Sequence, residues 1–392
     1  MNHRRVLLIT GLVAASSIAG MARAATEFEQ TNLVSDGSVP AFLTDSNLIN
    51  PWGISEGSGT PFWISDNGRG VTTLYQVPGP LNTPVAKFPP LSPLVVTIPP
   101  SVPLTTSAPT GQVFNGTSGG FKVSNGNPAL FIFDSEDGAI TAWNLGLGTT
   151  AEIKVNEGAA AVYKGLAIDN TDDILYATNF RAGTIEAYNS DFKSAMLPGS
   201  FTDPNLPAGY APFNAKDING QLYVTYAVHD PAKHDDEAGP GNGLVDIFDL
   251  NGDFVKRLVS HGVLNSPWGL QIAPAGFGTF AGDLLVGNFG DGTINAFDPT
   301  TGAFMGTLDG KDGKPLFIQD LWALTVGNGS SLGGSPFNVY FTAGLVDEGG
   351  GLFGSLAVPE PSTWVMLVLG FATLGVTGYW RTRKARLAPT RA

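Results

Sequence analysis

Short apolar runs recur along the chain, and each is followed by a polar turn and then by an alternating run of apolar and polar positions. The runs read "PFWIS", "ALFIF", "ILYAT", "QLYVT", "DLLVG" and "NVYFT". The turns and alternating stretches that follow four of them are "DNGRGVTTLY" from Asp66, "DSEDGAITAW" from Asp134, "NFRAGTIEAY" from Asn179 and "NFGDGTINAF" from Asn288. Two looser copies are "GPGNGLVDIF" from Gly239 and "DEGGGLFGSL" from Asp347. The shared glycines are Gly70, Gly138, Gly183, Gly243, Gly292 and Gly351, spaced by 68, 45, 60, 49 and 59 residues. A period-2 pattern on both sides of a glycine-bearing turn predicts a β-hairpin. An earlier strand opens each unit: "PWGIS" from Pro51, "GFKVS" from Gly120, "YKGLAID" from Tyr163, "FNAKD" from Phe213, "PWGLQIA" from Pro267 and "LWALTV" from Leu321. A fourth closes most units, as in "DFVKRLVS" (Asp253–Ser260) and "AFMGTL" (Ala303–Leu308). The expectation is an all-β, six-bladed β-propeller with four-stranded antiparallel blades. The last unit lacks an outer strand of its own, and "FEQTNLV" (Phe28–Val34) is expected to supply it and close the ring.

Composition agrees. Fifty-one glycines, 28 prolines and only 14% charged residues disfavour helices. The absence of cysteine excludes disulfides, thiolate metal sites and a cysteine nucleophile. Val77–Gly119 is rich in proline, threonine and serine, and it reads as an insertion in or after blade one, with "LVVTI" (Leu94–Ile98) as that blade's outer strand. The propeller is thereby expected over 25–358.

The two ends address the chain. Residues 1–24 place Arg4 and Arg5 before an apolar run and finish on Ala22-Arg23-Ala24, a signal peptide cleaved between Ala24 and Ala25. Residues 359–392 begin with Pro359-Glu360-Pro361. An apolar segment over 364–380, expected as a transmembrane helix, comes next, and Arg381, Arg383, Lys384 and Arg386 follow it. In that order these features closely resemble the PEP-CTERM sorting signal of Gram-negative bacteria. The resemblance implies an exosortase-type processing partner, anchoring in the inner membrane before processing, and a final place on the outer surface or outside a biofilm- or floc-forming cell. Without the two ends, residues 25–358 hold 13 basic and 33 acidic residues, a net charge of −20. Nucleic acid is excluded as a partner for such a surface.

The repeat, with "NPWGI" and "SPWGL", resembles the NHL-like and gluconolactonase-like six-bladed propellers, and more closely a family of secreted bacterial propellers of unknown function with a PEP-CTERM tail. In propellers generally, the loops between second and third strands surround one mouth of the central channel. Here those loops offer Asp66, Asn67 and Arg69, then Asp134, Glu136 and Asp137, then Asn179 and Arg181, then Asn288 and Asp291, then Asp347 and Glu348. Asp66, Asp134, Asn179 and Asn288 are candidate ligands for Ca2+ or another divalent cation. The same residues also suit hairpin turns for purely local reasons. No cofactor is otherwise called for. Trp52, Trp268 and Trp322 start inner strands in line with Phe121 and Phe213, with Lys164 in the third unit. These aromatics either line a channel that stacks on sugar rings or wedge between blades. Together with Arg69 and Arg181, the three tryptophans are the candidate ligand-binding residues.

The segment "HDPAKHDDEA" (His229–Ala238) is an enlarged hairpin loop on the same mouth. His229, His234 and Asp235 join the candidate metal ligands. Pro231 removes helical i, i+4 geometry, and Gly239-Pro240-Gly241 suggests mobility. No G-x-S-x-G elbow, phosphate loop or H-E-x-x-H motif is present, and no catalytic residue is assigned. The chain therefore reads as a secreted or surface-displayed, non-enzymatic propeller that binds exopolysaccharide or a matrix protein. The alternatives are a metal-dependent gluconolactonase-like hydrolase or lyase, and a structural matrix protein without a specific ligand.

Overall fold

Each hairpin of the repeat folds as the centre of a small twisted sheet, and six such sheets stand around one axis. The computed structural model describes residues 26–79, 85–116, 119–169 and 174–359. The signal peptide with Ala24 and Ala25, the 364–380 helix, Glu360 and Pro361 lie outside them. Among the described residues, no helix is long and apolar enough to cross a membrane.

The inner strands are Pro51–Ser55, Pro109–Phe114, Tyr163–Ile168, Tyr210–Ile218, Pro267–Ile272 and Leu321–Val326 for blades one to six. Each touches the next, and the sixth touches the first, so the ring is closed. Blades two, four and five have four antiparallel strands in simple meander order. Blade six takes its outer strand, Glu27–Ser35, from the start of the propeller; it pairs antiparallel with Leu352–Ala357, Glu29 opposite Ala357 and Ser35 opposite Leu352.

Three details depart from the repeat as read along the chain. Blade two's inner strand is Pro109–Phe114, not the stretch from Gly120, so the insertion stops short of 109. Phe121 instead sits in a loop at φ 51°, fully buried, its N–H donating to Ser190 O at 2.7 Å. The strand at 109 carries Gly111, and the ring needs it: a Cβ there would overlap the Leu166 amide of blade three. Blade three has three strands, ending at Thr184–Asn189, with a single bridge from Tyr188 to Ser194 beyond them. Blade one's edge is split, because Ala86–Lys87 and Val95–Thr97 both pair with Val71–Gln76.

Second strands such as Phe62–Asp66 and Phe131–Ser135 are buried along their whole length, since neighbouring blades cover both faces. This explains their unbroken apolar runs. Six apolar clusters fill the six gaps between blades. In one of them Trp63 of blade one stacks on Phe131 of blade two, centroids 4.1 Å apart. Polar side chains lock the inner ends. Thr110 donates to Tyr163 O at 2.9 Å, Asn214 to Trp268 O at 2.8 Å, and Thr342 to Trp52 O. Each bond joins one blade to the backbone of the next, so a buried hydroxyl or amide is satisfied while the ring is held in register.

Candidate functional site

A seventh apolar cluster lies on the axis itself. Trp52 and Trp322, second residues of their inner strands, stack with centroids 3.4 Å apart at 19°. Phe289 stacks on the other face of Trp322 at 4.1 Å, and Trp268 meets both indoles edge-on. All three tryptophans are at most 4% exposed. Their flat faces cover one another rather than an open channel, and they do not wedge between blades; they plug the axis. Gly53 and Gly269 allow it, because a side chain at either would strike the neighbouring strand's backbone and hold the indoles apart. Trp268 Nε1 donates to Lys164 O at 2.9 Å and Trp322 Nε1 to Asn50 Oδ1 at 3.0 Å. Trp52 Nε1 is buried without a partner.

Polar groups from five blades converge on this plug at the mouth where the inner strands begin. Lys164 of blade three, 2% exposed, places its ammonium 5.0 Å from the Trp52 ring centroid. It is ion-paired with Glu136 of blade two and, at 3.3 Å, with Asp235 of blade four. Glu136 Oε2 accepts from Asn67 Nδ2 at 3.0 Å, and Asn67 Oδ1 accepts from Asn50 Nδ2 at 3.3 Å. Asn50 Nδ2 also donates to Glu348 Oε2 of blade six at 2.5 Å.

Charge and burial set the proton affinities. Burial pulls the Lys164 ammonium down, but Glu136 beside it more than compensates, and the net shift is upward. Burial, opposed by the Asn50 bond and reinforced by the charge of Glu136, pushes the Glu348 carboxyl up to about 7. The hydrogen bond from His234 Nδ1, 2.9 Å from Asp235 Oδ1, outweighs burial and lowers the Asp235 carboxyl to about 2, with Lys164 adding to the effect.

Glu348 reaches this network on a strained turn. Leu345, Val346, Asp347 and Glu348 have φ of 29°, 54°, 50° and 63°, four successive left-handed residues without a glycine. One such residue is uncommon, and a β-branched one is an outlier. In the regular blades a left-handed glycine does this work: Gly70, Gly138, Gly183 and Gly292 all have positive φ, whereas Gly243 and Gly351 of the looser copies do not.

The once-per-blade candidates do not converge. Asp66 and Asp134 are wholly buried inside their own blades, and burial pushes the Asp134 carboxyl up to about 7 although Thr110 donates to it at 2.8 Å. Asn179 Oδ1 accepts from the Ala182 and Val162 amides, and its Nδ2 donates to Glu186. Asn288 Nδ2 donates to Val263 O at 2.8 Å and to Asp291 Oδ1 at 3.2 Å. Both asparagines tie a hairpin turn to the segment entering their own blade. Arg69 and Arg181 donate to the backbone carbonyls of Ser46 and Ala159. His229 Nδ1 lies 2.9 Å from Asp230 O. The histidine loop is internally tied rather than loose: Asp230 N donates to Asp235 O, Glu237 N to Val228 O, and the Asp230 carboxylate accepts from His234 N.

Among the described residues, Glu136, His234 and Asp235 alone bring three potential ligand atoms within 4.8 Å of one another. As arranged they do not fit a metal ion, because the Lys164 ammonium already sits on the same two carboxylates. Asn50 was absent from the sequence candidates and is the hub of the network. Its only signal was its place before Pro51 in "NPWGI", where a left-handed residue (φ 46°) precedes the inner strand.

Two uncharacterized proteins of Acanthamoeba polyphaga mimivirus share this chain's sequence along most of its length. One is 34% identical over 350 residues, covering 86% of this chain and 82% of its own. The other is 33% identical over 357 residues, covering 86% and 87%. The chain belongs to their family. In this chain residues 357–384 match the PEP-CTERM protein-sorting motif, which begins on the last residue of blade six's third strand. The motif is a signal for export and exosortase processing. Val358 alone separates Pro359 from the end of that strand. Among solved structures, a streptogramin B lyase superposes with a TM-score of 0.47 at 11% identity, covering 85% of this chain and 97% of that one. A gluconolactonase of Xanthomonas campestris gives a TM-score of 0.39 at 14% identity, covering 64% and 85%.

Proposed function

We propose that this exported propeller is a non-enzymatic binding protein whose upper mouth holds a hydroxyl-rich matrix component, an exopolysaccharide or the polar surface of a matrix protein. The observation that carries the reading is Lys164, which fills the cation position among the mouth carboxylates. The remaining carboxylate and amide groups of Glu136, Asp235, Glu348, Asn50 and Asn67 are then left to hydrogen-bond a neutral polar ligand. The mouth pairs its carboxylates with amides and an ammonium, not with a nucleophile held against a base. The sorting motif delivers the protein to where such a matrix lies. The test is co-sedimentation of the full chain with exopolysaccharide from the producing strain. Retention that Glu136→Gln or Asp235→Asn weakens by about tenfold supports the reading. Retention equal in wild type and both variants, or none, overturns it.

A second reading has one observation in its favour, the proximity of Glu136, His234 and Asp235. A divalent cation could replace Lys164 and activate a substrate there, as a hydrolase or lyase would require. Metal analysis of the purified protein, with and without Lys164→Met, separates the two. Stoichiometric metal in the wild type supports the second reading, and metal in the variant alone supports the first.

A further inference from the structure

The other end of the channel is built differently. Below the tryptophan plug, the far halves of the inner strands enclose a cavity of about 270 Å³, just under the range of about 300–1,000 Å³ usual for drug-sized ligands. Lys216 of blade four reaches across blade five inside it. Its ammonium donates to Gln271 Oε1 at 2.7 Å and to Leu324 O of blade six at 3.2 Å. Both acceptors are neutral, and among the described residues Lys216 makes no ion pair. An ammonium has three donors, so one remains for a ligand.

Glu56 lines the same cavity, at the end of blade one's inner strand, with Ser55 beside it. Glu56 Oε2 and the Ser55 hydroxyl are buried without hydrogen-bond partners. Burial pushes the Glu56 carboxyl up to about 9, against the Asn328 backbone bond and the charge of Lys216. A carboxyl that keeps its proton donates to an anion instead of repelling it. Burial lowers the Lys216 ammonium to about 8, which still leaves it mostly charged at pH 7. The walls mix apolar Ile54, Val113, Leu166, Ile168 and Leu270 with Gln112, Asn214 and Asp217, whose Oδ1 accepts from Gly220 N at 2.8 Å.

We infer that this lower cavity is a binding site for a small hydroxylated carboxylate, whose anionic group pairs with Lys216 and whose oxygens meet Glu56 and Ser55. A half-buried cation without an ion-pair partner, beside two unsatisfied polar atoms in a space of that size, lacks what such a molecule supplies. The site lies on the opposite side of the plug from the mouth network and does not depend on how that mouth is used.

Titration calorimetry on the full chain at pH 7 tests the inference with matched probes: glucuronate against glucose, glycerate against glycerol, and inorganic phosphate. A carboxylate is expected to bind, its neutral counterpart and phosphate at least about tenfold more weakly. Lys216→Met is expected to reduce carboxylate affinity by about tenfold or more while the protein still melts cooperatively. Thr325→Phe, which fills the cavity and leaves the lysine in place, is expected to abolish binding. Equal binding of glucose and glucuronate, full affinity in Lys216→Met, phosphate binding as tight as carboxylate, or no heat from either carboxylate up to about 10 mM would each overturn the inference.

Discussion

The two ends of the channel each hold one inner-strand lysine, Lys164 buried and Lys216 half-buried, and the two are treated in opposite ways. Lys164 at the upper mouth has Glu136 and Asp235 in ion-pair contact, and its proton is held more tightly than in water. Lys216 at the lower end has two neutral acceptors, and its proton is held more loosely. The inner strands supply both residues, Lys164 near a strand start and Lys216 toward a strand end. What differs is the loops. At the strand starts, the hairpin loops of blades one, two, four and six bring carboxylates and amides over the axis. At the far end Glu56 is the carboxylate in the cavity closest in role, and it stays unpaired. The cation of one mouth is therefore neutralised from within, which suits a neutral ligand, and that of the other is left for an anionic one.

Removing each charge should expose this contrast. The largest effect is expected for Lys164→Met, which strands the nearly buried Glu136 carboxylate. Breaking a buried pair from one side costs about 3 kcal/mol or more, read from urea unfolding at pH 7. The exposed Asp235 arm contributes little of this. Glu348→Gln comes next. The Glu348 carboxyl rises from 4.5 unfolded to about 7 folded, so its contribution to stability is fully present below pH 4.5 and is lost as pH climbs through 7. The variant should lack that fall and be more stable than wild type by about 2 kcal/mol at pH 8, with the difference gone near pH 4.

Lys216→Met should move the other way from Lys164→Met. The Lys216 ammonium falls from 10.5 unfolded to about 8 folded, so its stability contribution is lost as pH drops from 10.5 through 8. After the loss of two hydrogen bonds, the variant should gain about 1 kcal/mol at pH 7, a gain that turns into a loss of about 2 kcal/mol toward pH 10.5. Destabilisation equal to that of Lys164→Met would erase the distinction between the two ends. The smallest effect is expected for the His229→Ala/His234→Ala double variant. Its loop is held by backbone and Asp230 bonds, so thermal unfolding should shift by less than about 0.5 kcal/mol and metal content should not change.

The ring was legible because blade hairpins repeat a local pattern that one strand can report by itself. "PFWIS" and "ALFIF" announce strands covered on both faces, and Phe28–Val34 looks like the other outer strands. The inner strand Pro109–Phe114 was hidden because its proline-rich surroundings look like surface loop, and its decisive residue, Gly111, is required by a contact with another blade. The same reason divides the site. That hairpin loops gather at one mouth follows from the repeat, and Glu136, Asn67, Glu348 and the histidine loop are there. Which of them meet is a question of reach across the axis. Asn179 and Asn288 head the same kind of hairpin turn that carries Glu136 in blade two, yet their side chains turn back into their own blades. Glu56 and Lys216 sit in different repeats and come to line one cavity only when the ring closes.

The strand Glu27–Ser35 gives that closure a direction in time. Glu29 pairs with Ala357, so the first strand of the propeller waits, with an exposed edge, for the last hairpin to be delivered. A chain that crosses a membrane from its N-terminus completes this sheet only when residue 357 has passed, and residue 357 is where the sorting motif begins. Blade six thus cannot close before the chain is present up to the residue at which that motif begins.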